Sequence, residues 1–116
     1  MYKIGNVFTE NERKGWIFGT FMPEGLQKDD TIEIKIAELD ASFRSPIHYQ
    51  KTATKLDIIW EGIGIWEIDG ETRELHKGDY VIIPPLTKVK VVKILSEKII
   101  VQIIKFPSLP DDKVLV

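Results

Sequence analysis

The sequence predicts an all-β protein, a barrel or a sandwich, and three observations carry that reading. Short apolar runs recur along the chain, each ended by a Gly, Pro or Asp-Gly turn signal. Several runs alternate apolar and polar residues with the period of two that a half-buried strand requires. No stretch carries a helical period. Only Thr9–Lys14 offers a single turn, with Thr9 as N-cap, Glu12 three residues on and Gly15 as its stop.

Taken in order, Gly15–Met22 reads as a strand in which Gly19 marks a bulge or bend. Thr31–Leu39 places Ile32, Ile34 and Ile36 on one face and Glu33 and Lys35 on the other, a half-buried strand. Leu56–Trp60 runs into Glu61-Gly62. Ile65–Ile68 then meets Asp69-Gly70, a strong hairpin signal because the turn requires positive φ. Thr72–His76 is the return strand and Lys77-Gly78-Asp79 the next turn. Tyr80–Ile83 is a strand stopped by Pro84-Pro85, whose rings cannot continue a ladder. Thr87–Leu95 and Lys98–Phe106 form a last pair around Ser96-Glu97. In the final strand Ile99, Val101 and Ile103 share one face and Ile100, Ile104 and Phe106 the other. A strand apolar on both faces belongs between two layers or in a subunit contact, which predicts a homodimer.

The 116 residues suit one domain, with a core over residues 30–106 and an N-terminal strand segment over residues 1–29. At 43% hydrophobic and 29% charged, the balance is that of an ordinary globular protein. A formal charge of −2, with Lys and Arg interleaved among acidic residues, argues against nucleic acid as partner. Lys88, Lys90 and Lys93 have the spacing of a solvated strand face. The absence of cysteine excludes disulfides, thiolate chemistry and Cys-based zinc sites. No run has the length of a signal-peptide core or a membrane span, so a cytoplasmic protein is expected. Abundant Lys, Glu and Ile with scarce Met lean toward a thermophile-like composition.

The run from Trp60 to Pro85, WEGIGIWEIDGETRELHKGDYVIIPP, resembles the heart of the cupin superfamily. Gly62, Asp69-Gly70, Gly78-Asp79 and Pro84 fall where that fold bends its chain. The resemblance covers residues 30–106 and implies a cupin-like β-barrel, the double-stranded β-helix or jelly roll. Cupins usually hold a metal ion with two His and a Glu from a first motif and a His from a second. Laid on this chain, the first His matches His48, the second falls on Gln50, the Glu on Lys55 and the last His on Val89. The second motif's Gly and Asn fall on Leu86 and Lys93. A lysine ammonium has no lone pair for a metal and repels a dication. The resemblance therefore implies no metal and no other cofactor at the usual site. A rearranged site using His48 and Asp57 would offer two ligands, short of the usual three or four.

In the cupin register His48, Gln50, Lys55 and Asp57 point into the barrel, a polar patch suited to an anionic or sugar-like small molecule. The competing reading has Lys55 paired with Asp57 or Glu61 on the surface, and a register slip of one residue would decide between them. His48 reads as a ligand-binding imidazole or as a hydrogen-bonded barrel residue, and His76 as a solvated turn residue. Trp16, Trp60 and Trp66 read as core or interface rather than a sugar platform. Gly62-Ile63-Gly64 has no following helix and is no dinucleotide fingerprint. Neither His has a nucleophile signature beside it. The sequence thus points to a metal-free small-molecule binding or interaction module. Alternatives are an acid–base sugar epimerase or isomerase, of which the superfamily has metal-independent examples, and a metal-dependent cupin enzyme with a rearranged site.

Overall fold

A computed structural model describes residues 1–10 and 14–116. The single turn expected over Thr9–Lys14 lies in part outside the described residues. Ten strands follow in order: β1 (Trp16–Phe18), β2 (Glu33–Asp40), β3 (His48–Gln50), β4 (Thr54–Glu61), β5 (Gly64–Ile68), β6 (Glu71–Leu75), β7 (Tyr80–Ile83), β8 (Val89–Ile94), β9 (Lys98–Phe106) and β10 (Lys113–Leu115). They form two five-stranded antiparallel sheets, ordered β1-β2-β9-β4-β7 and β10-β3-β8-β5-β6. The sheets pack face to face as a jelly roll. Among the described residues no helix is long and apolar enough to cross a membrane.

The turns follow the chemistry of their residues. Asp69 and Gly70 both take positive φ, 49° and 83°, and close the β5–β6 hairpin. Asp69 also pins the hairpin tip to β8: its Oδ1 accepts from the Lys88 N–H at 3.0 Å, and its own N–H donates to Lys88 O at 2.8 Å. Gly62 joins β4 to β5 at φ 93°, and a Cβ there would overlap the carbonyl oxygen of Lys98. Only glycine fits that approach without strain. Beyond it the Ser96 hydroxyl accepts from the Ile63 N–H at 3.0 Å.

Ala37, Ile59, Trp66, Leu75, Ile83, Val89, Ile94, Ile99 and Val101 form the core between the sheets. Most of this core lies toward one end of the barrel, and strand register shows why. Across the first sheet Ala37, Val101 and Ile59 stand in one row. The next row inward-facing toward the other end is Lys35, Ile103, Asp57 and Val81, and the one after it is Glu33, Lys105, Lys55 and Ile83. The barrel is therefore apolar at one end and charged at the other.

β2 is half-buried as its alternation requires, but with the hydrophobic logic reversed. Glu33 is buried and Lys35 lines the interior, whereas Ile34 and Ile36 stand on the outer face. Period two fixes which residues share a face and says nothing about which face is inside. Here the outer face is apolar in its own right. Ile34, Ile104, Leu56 and Ile82 form one row across four strands, and Ile36, Gln102, Ile58 and Tyr80 the next. The doubly apolar β9 accordingly packs Ile99, Val101 and Ile103 inward, while Ile100 and Ile104 remain half-exposed and Phe106 exposed. No second layer covers this outer face among the described residues.

Candidate functional site

The four residues singled out in the sequence all point into the barrel. His48 and Gln50 lie two apart on β3, and Lys55 and Asp57 two apart on β4, so each pair shares a face. All four are buried, Asp57 to 2% exposure. Of the open alternatives for Lys55, the interior one holds: Lys55 Nζ lies 3.5 Å from Asp57 Oδ2 inside the barrel. Trp66 Nε1 donates to the same oxygen at 3.1 Å. Asp57 Oδ1 and Gln50 Nε2 are buried without a hydrogen-bond partner. Most native structures leave few such groups, each calling for an explanation.

His48 Nδ1 donates to the Pro46 carbonyl at 2.9 Å, which leaves Nε2 as the free lone pair of the neutral ring. Burial lowers its pKa from 6.5 to about 4. The Pro46 bond opposes the shift, and Lys55, Lys113 and Lys105 add to it. The ring is neutral at pH 7.

These side chains border a cavity of about 180 Å³ whose apolar wall includes Phe43, Trp66, Val91 and Ile103. Gln50 lines an adjoining hollow that shares Lys105 and Lys113 with the cavity. Sequence reading missed four members of the site: Lys35 on β2, Lys90 on β8, which was read as part of a solvated face, Lys105 on β9 and Lys113 on β10. Lys35 was assigned to a charged face without a side. Lys105 was hidden in a strand read as apolar on both faces, although it directly opposes Lys55 in the register. β10 lies beyond the expected core of residues 30–106 and pairs with β3, placing Lys113 opposite Gln50. Its anchor is Asp112, whose carboxylate accepts from the Thr52 and Ala53 N–H groups, each at 2.9 Å. Burial pushes Lys35, Lys105 and Lys113 below the usual ammonium range, and neighbouring lysines push each further. Glu33 opposes the shift at Lys105, to which it is paired at 3.9 Å.

The remaining singled-out residues separate. His76 is solvated at its turn, with Nε2 2.8 Å from Glu74 Oε2. Trp66 is core, Trp16 borders the cavity beneath Lys35, and Trp60 is exposed on the outer face, where its Nε1 donates to Gln102. The three indoles share no platform.

No protein-family profile and no curated protein sequence matches the chain. Solved structures do. A cupin protein from Bacteroides fragilis superposes with a TM-score of 0.62 at 24% identity, over 80% of this chain and 91% of that one. This is a cupin fold. KdgF from Halomonas sp. matches the cupin barrel at TM-score 0.62 and 18% identity, over 71% of this chain and 74% of that one. A salicylate 1,2-dioxygenase from Pseudaminobacter salicylatoxidans matches at 0.61 and 18%, over 69% of this chain and 23% of that one.

The four positions that the resemblance aligns with metal ligands carry His48, Gln50, Lys55 and Val89. Val89, buried and directly opposite His48 in the register, fills the place of the last ligand. Lys55 brings a cation to the carboxylate's place and already engages Asp57. Among the described residues no three His, Asp, Glu or Cys side chains converge as a ligand set. What the cupin barrel holds instead is a neutral imidazole, a spare carboxylate oxygen and several ammonium groups around one cavity.

Proposed function

We propose that this chain is a metal-free binding barrel for a small polar molecule, contacted by His48, Gln50, Lys55 and Asp57. One observation carries the reading. Asp57 Oδ1 and Gln50 Nε2 are buried and unpartnered, the first beside the cavity and the second beside the adjoining hollow, and each unmade hydrogen bond costs about 1–3 kcal/mol. A ligand that supplies a donor to the first and an acceptor to the second recovers that energy. The test has two parts on untagged, unchelated protein. Mass spectrometry should find transition metal far below one per chain. Titration with a panel of small sugars, nucleotide sugars and hydroxy acids should move the Trp66 indole resonance, and His48→Ala should abolish the response. Stoichiometric metal, or an indole that no compound moves, overturns the reading.

His48 favours a second reading, an acid–base isomerase. Its unprotonated Nε2 can take a proton from carbon while the Lys55 ammonium polarises the adjoining carbonyl. A pKa of about 4 makes it a weak base, which places this reading second. Deuterium uptake from heavy water into a hydroxy-carbonyl substrate, lost in His48→Ala, would bring it first. No uptake across the panel removes it.

The outer face of the first sheet supports homodimerisation. Two rows of residues across β2, β9, β4 and β7 carry no charge, and Trp60 and Phe106 extend the apolar area. An uncharged face of this kind is self-complementary about a two-fold axis, which favours a second copy as its occupant.

A further inference from the structure

Charge inside the barrel is out of balance. Five lysines line the cavity, Lys35, Lys55, Lys90, Lys105 and Lys113, against one carboxylate, Asp57. Lys55 takes Asp57 at 3.5 Å, Lys105 takes the buried, inward-facing Glu33 at 3.9 Å, and Lys90 reaches Glu67 at 4.0 Å. Among the described residues Lys35 and Lys113 pair with no carboxylate. Lys35 instead stands over the Trp16 ring, 5.1 Å from its centroid. Lys55 and Lys105 directly oppose each other on neighbouring strands, an arrangement of like charges that weakens a sheet. Surface lysines could swing their heads into water. Here Lys113 stands at the exposed mouth, but Lys55 is buried and Lys105 nearly so.

The polar atoms sort by type. The donors lining the cavity are the lysine ammonium groups. The acceptors are Asp57 Oδ1 and His48 Nε2. Resting on the binding-barrel reading above, we infer that the cavity takes a small anion carrying a carboxylate or phosphate group together with a hydroxyl. The anionic oxygens meet Lys35, Lys105 and Lys113, and the hydroxyl donates to Asp57 or His48. At about 180 Å³ the cavity lies below the roughly 300–1,000 Å³ of drug-sized sites, so the ligand has a few carbons. An anion also removes the mutual repulsion that, after burial, holds Lys35 and Lys113 below the usual ammonium range.

Three probes of one carbon skeleton test this by calorimetry and by the Trp66 indole resonance: glycerol, glycerate and glycerol phosphate. Glycerate or glycerol phosphate should bind at millimolar concentration or better, more weakly as potassium chloride is added, and glycerol should not. The stronger of the two anions identifies the group recognised. Lys35→Met with Lys113→Met should weaken the anion by about tenfold or more, since each charge-assisted bond is strong. The melting temperature of that variant should not fall, whereas lysines kept for structure would lower it on removal. Lys88→Met, exposed and outside the cavity, should leave affinity unchanged. Equal binding of glycerol overturns the anion and leaves the binding barrel standing. Undiminished anion affinity in the double variant overturns the role of the lysines. If none of the three moves the indole, the anion inference fails, while the binding barrel is decided by the wider panel of sugars, nucleotide sugars and hydroxy acids.

Discussion

The indole N–H of Trp66 donates to Asp57 across the barrel interior, from β5 in one sheet to β4 in the other, at 3.1 Å. That bond and the Lys55 ammonium meet on one carboxylate oxygen. Trp66→Phe should cost about 1–3 kcal/mol, the penalty of one lost bond in a dry site. Asp57→Ala should cost more, about 3–5 kcal/mol, because it leaves Lys55 buried and uncompensated. Urea unfolding of the two variants checks the order. Equal losses would show that the ion pair adds nothing beyond the hydrogen bond.

The pH profile should carry the signature of His48. Its folded pKa of about 4 lies below the ordinary 6.5, so as pH falls the unfolded chain takes up the proton first. The stabilisation is complete above about pH 6.5 and is lost progressively toward pH 4. Urea midpoints measured across that window should fall with pH in the wild type and fall less in His48→Gln. Parallel profiles would mean that the imidazole does not titrate differently on folding.

Gly62→Ala tests the bend at the end of β4. A side chain at φ 93° costs about 1–3 kcal/mol from the backbone alone, and overlap with Lys98 O adds to it. Gly70→Ala, at a similar φ but with open space around it, should cost less. Thermal melts of the pair separate crowding from backbone strain.

The dimer contact is tested at Ile104, central in the outer row and half-exposed. Sedimentation should give a dimer for the wild type at micromolar concentration. Ile104→Glu should give a monomer with the same far-UV circular dichroism. A wild-type monomer ends the proposal.

Asp112→Ala should free β10 while leaving the rest of the barrel closed. The Thr52 and Ala53 N–H groups lose their acceptor, and the strand is then held by three pairs to β3 and two flanking backbone bonds, Lys51 N–H to Asp112 O and Val116 N–H to Ile47 O. Amide exchange should quicken at Val114 and Leu115 well before it does at Ile99 or Val101 in the core. Uniform loss of protection would show that β10 opens only with the whole fold.

Much of the barrel was legible because its punctuation is chemical. Asp69-Gly70, Gly78-Asp79 and Pro84 end strands for reasons of φ and missing donors, and β4 to β9 lie where those signals put them. The inward placement of His48, Gln50, Lys55 and Asp57 followed from aligning the chain on a known fold, not from periodicity. The limits show at β2, where alternation was clear but its sense was not: Glu33 and Lys35 face in because the isoleucines continue an apolar row set by β9 and β4. β10 was illegible for a different reason. Three residues, Lys113–Leu115, carry too little pattern to read as a strand, and a remote carboxylate-to-amide contact fixes them in place.

The lysine-lined cavity bears on how such a protein would drift under artificial selection. Burial and like charge at Lys35 and Lys113 oppose folding with no carboxylate to offset them, so variants chosen only for surviving heat would discard these two early and keep the sheets intact. The survivors would look like improved versions of the same scaffold by every structural measure. They would also be blank, and a stability campaign run without a binding counter-screen would have no means of noticing.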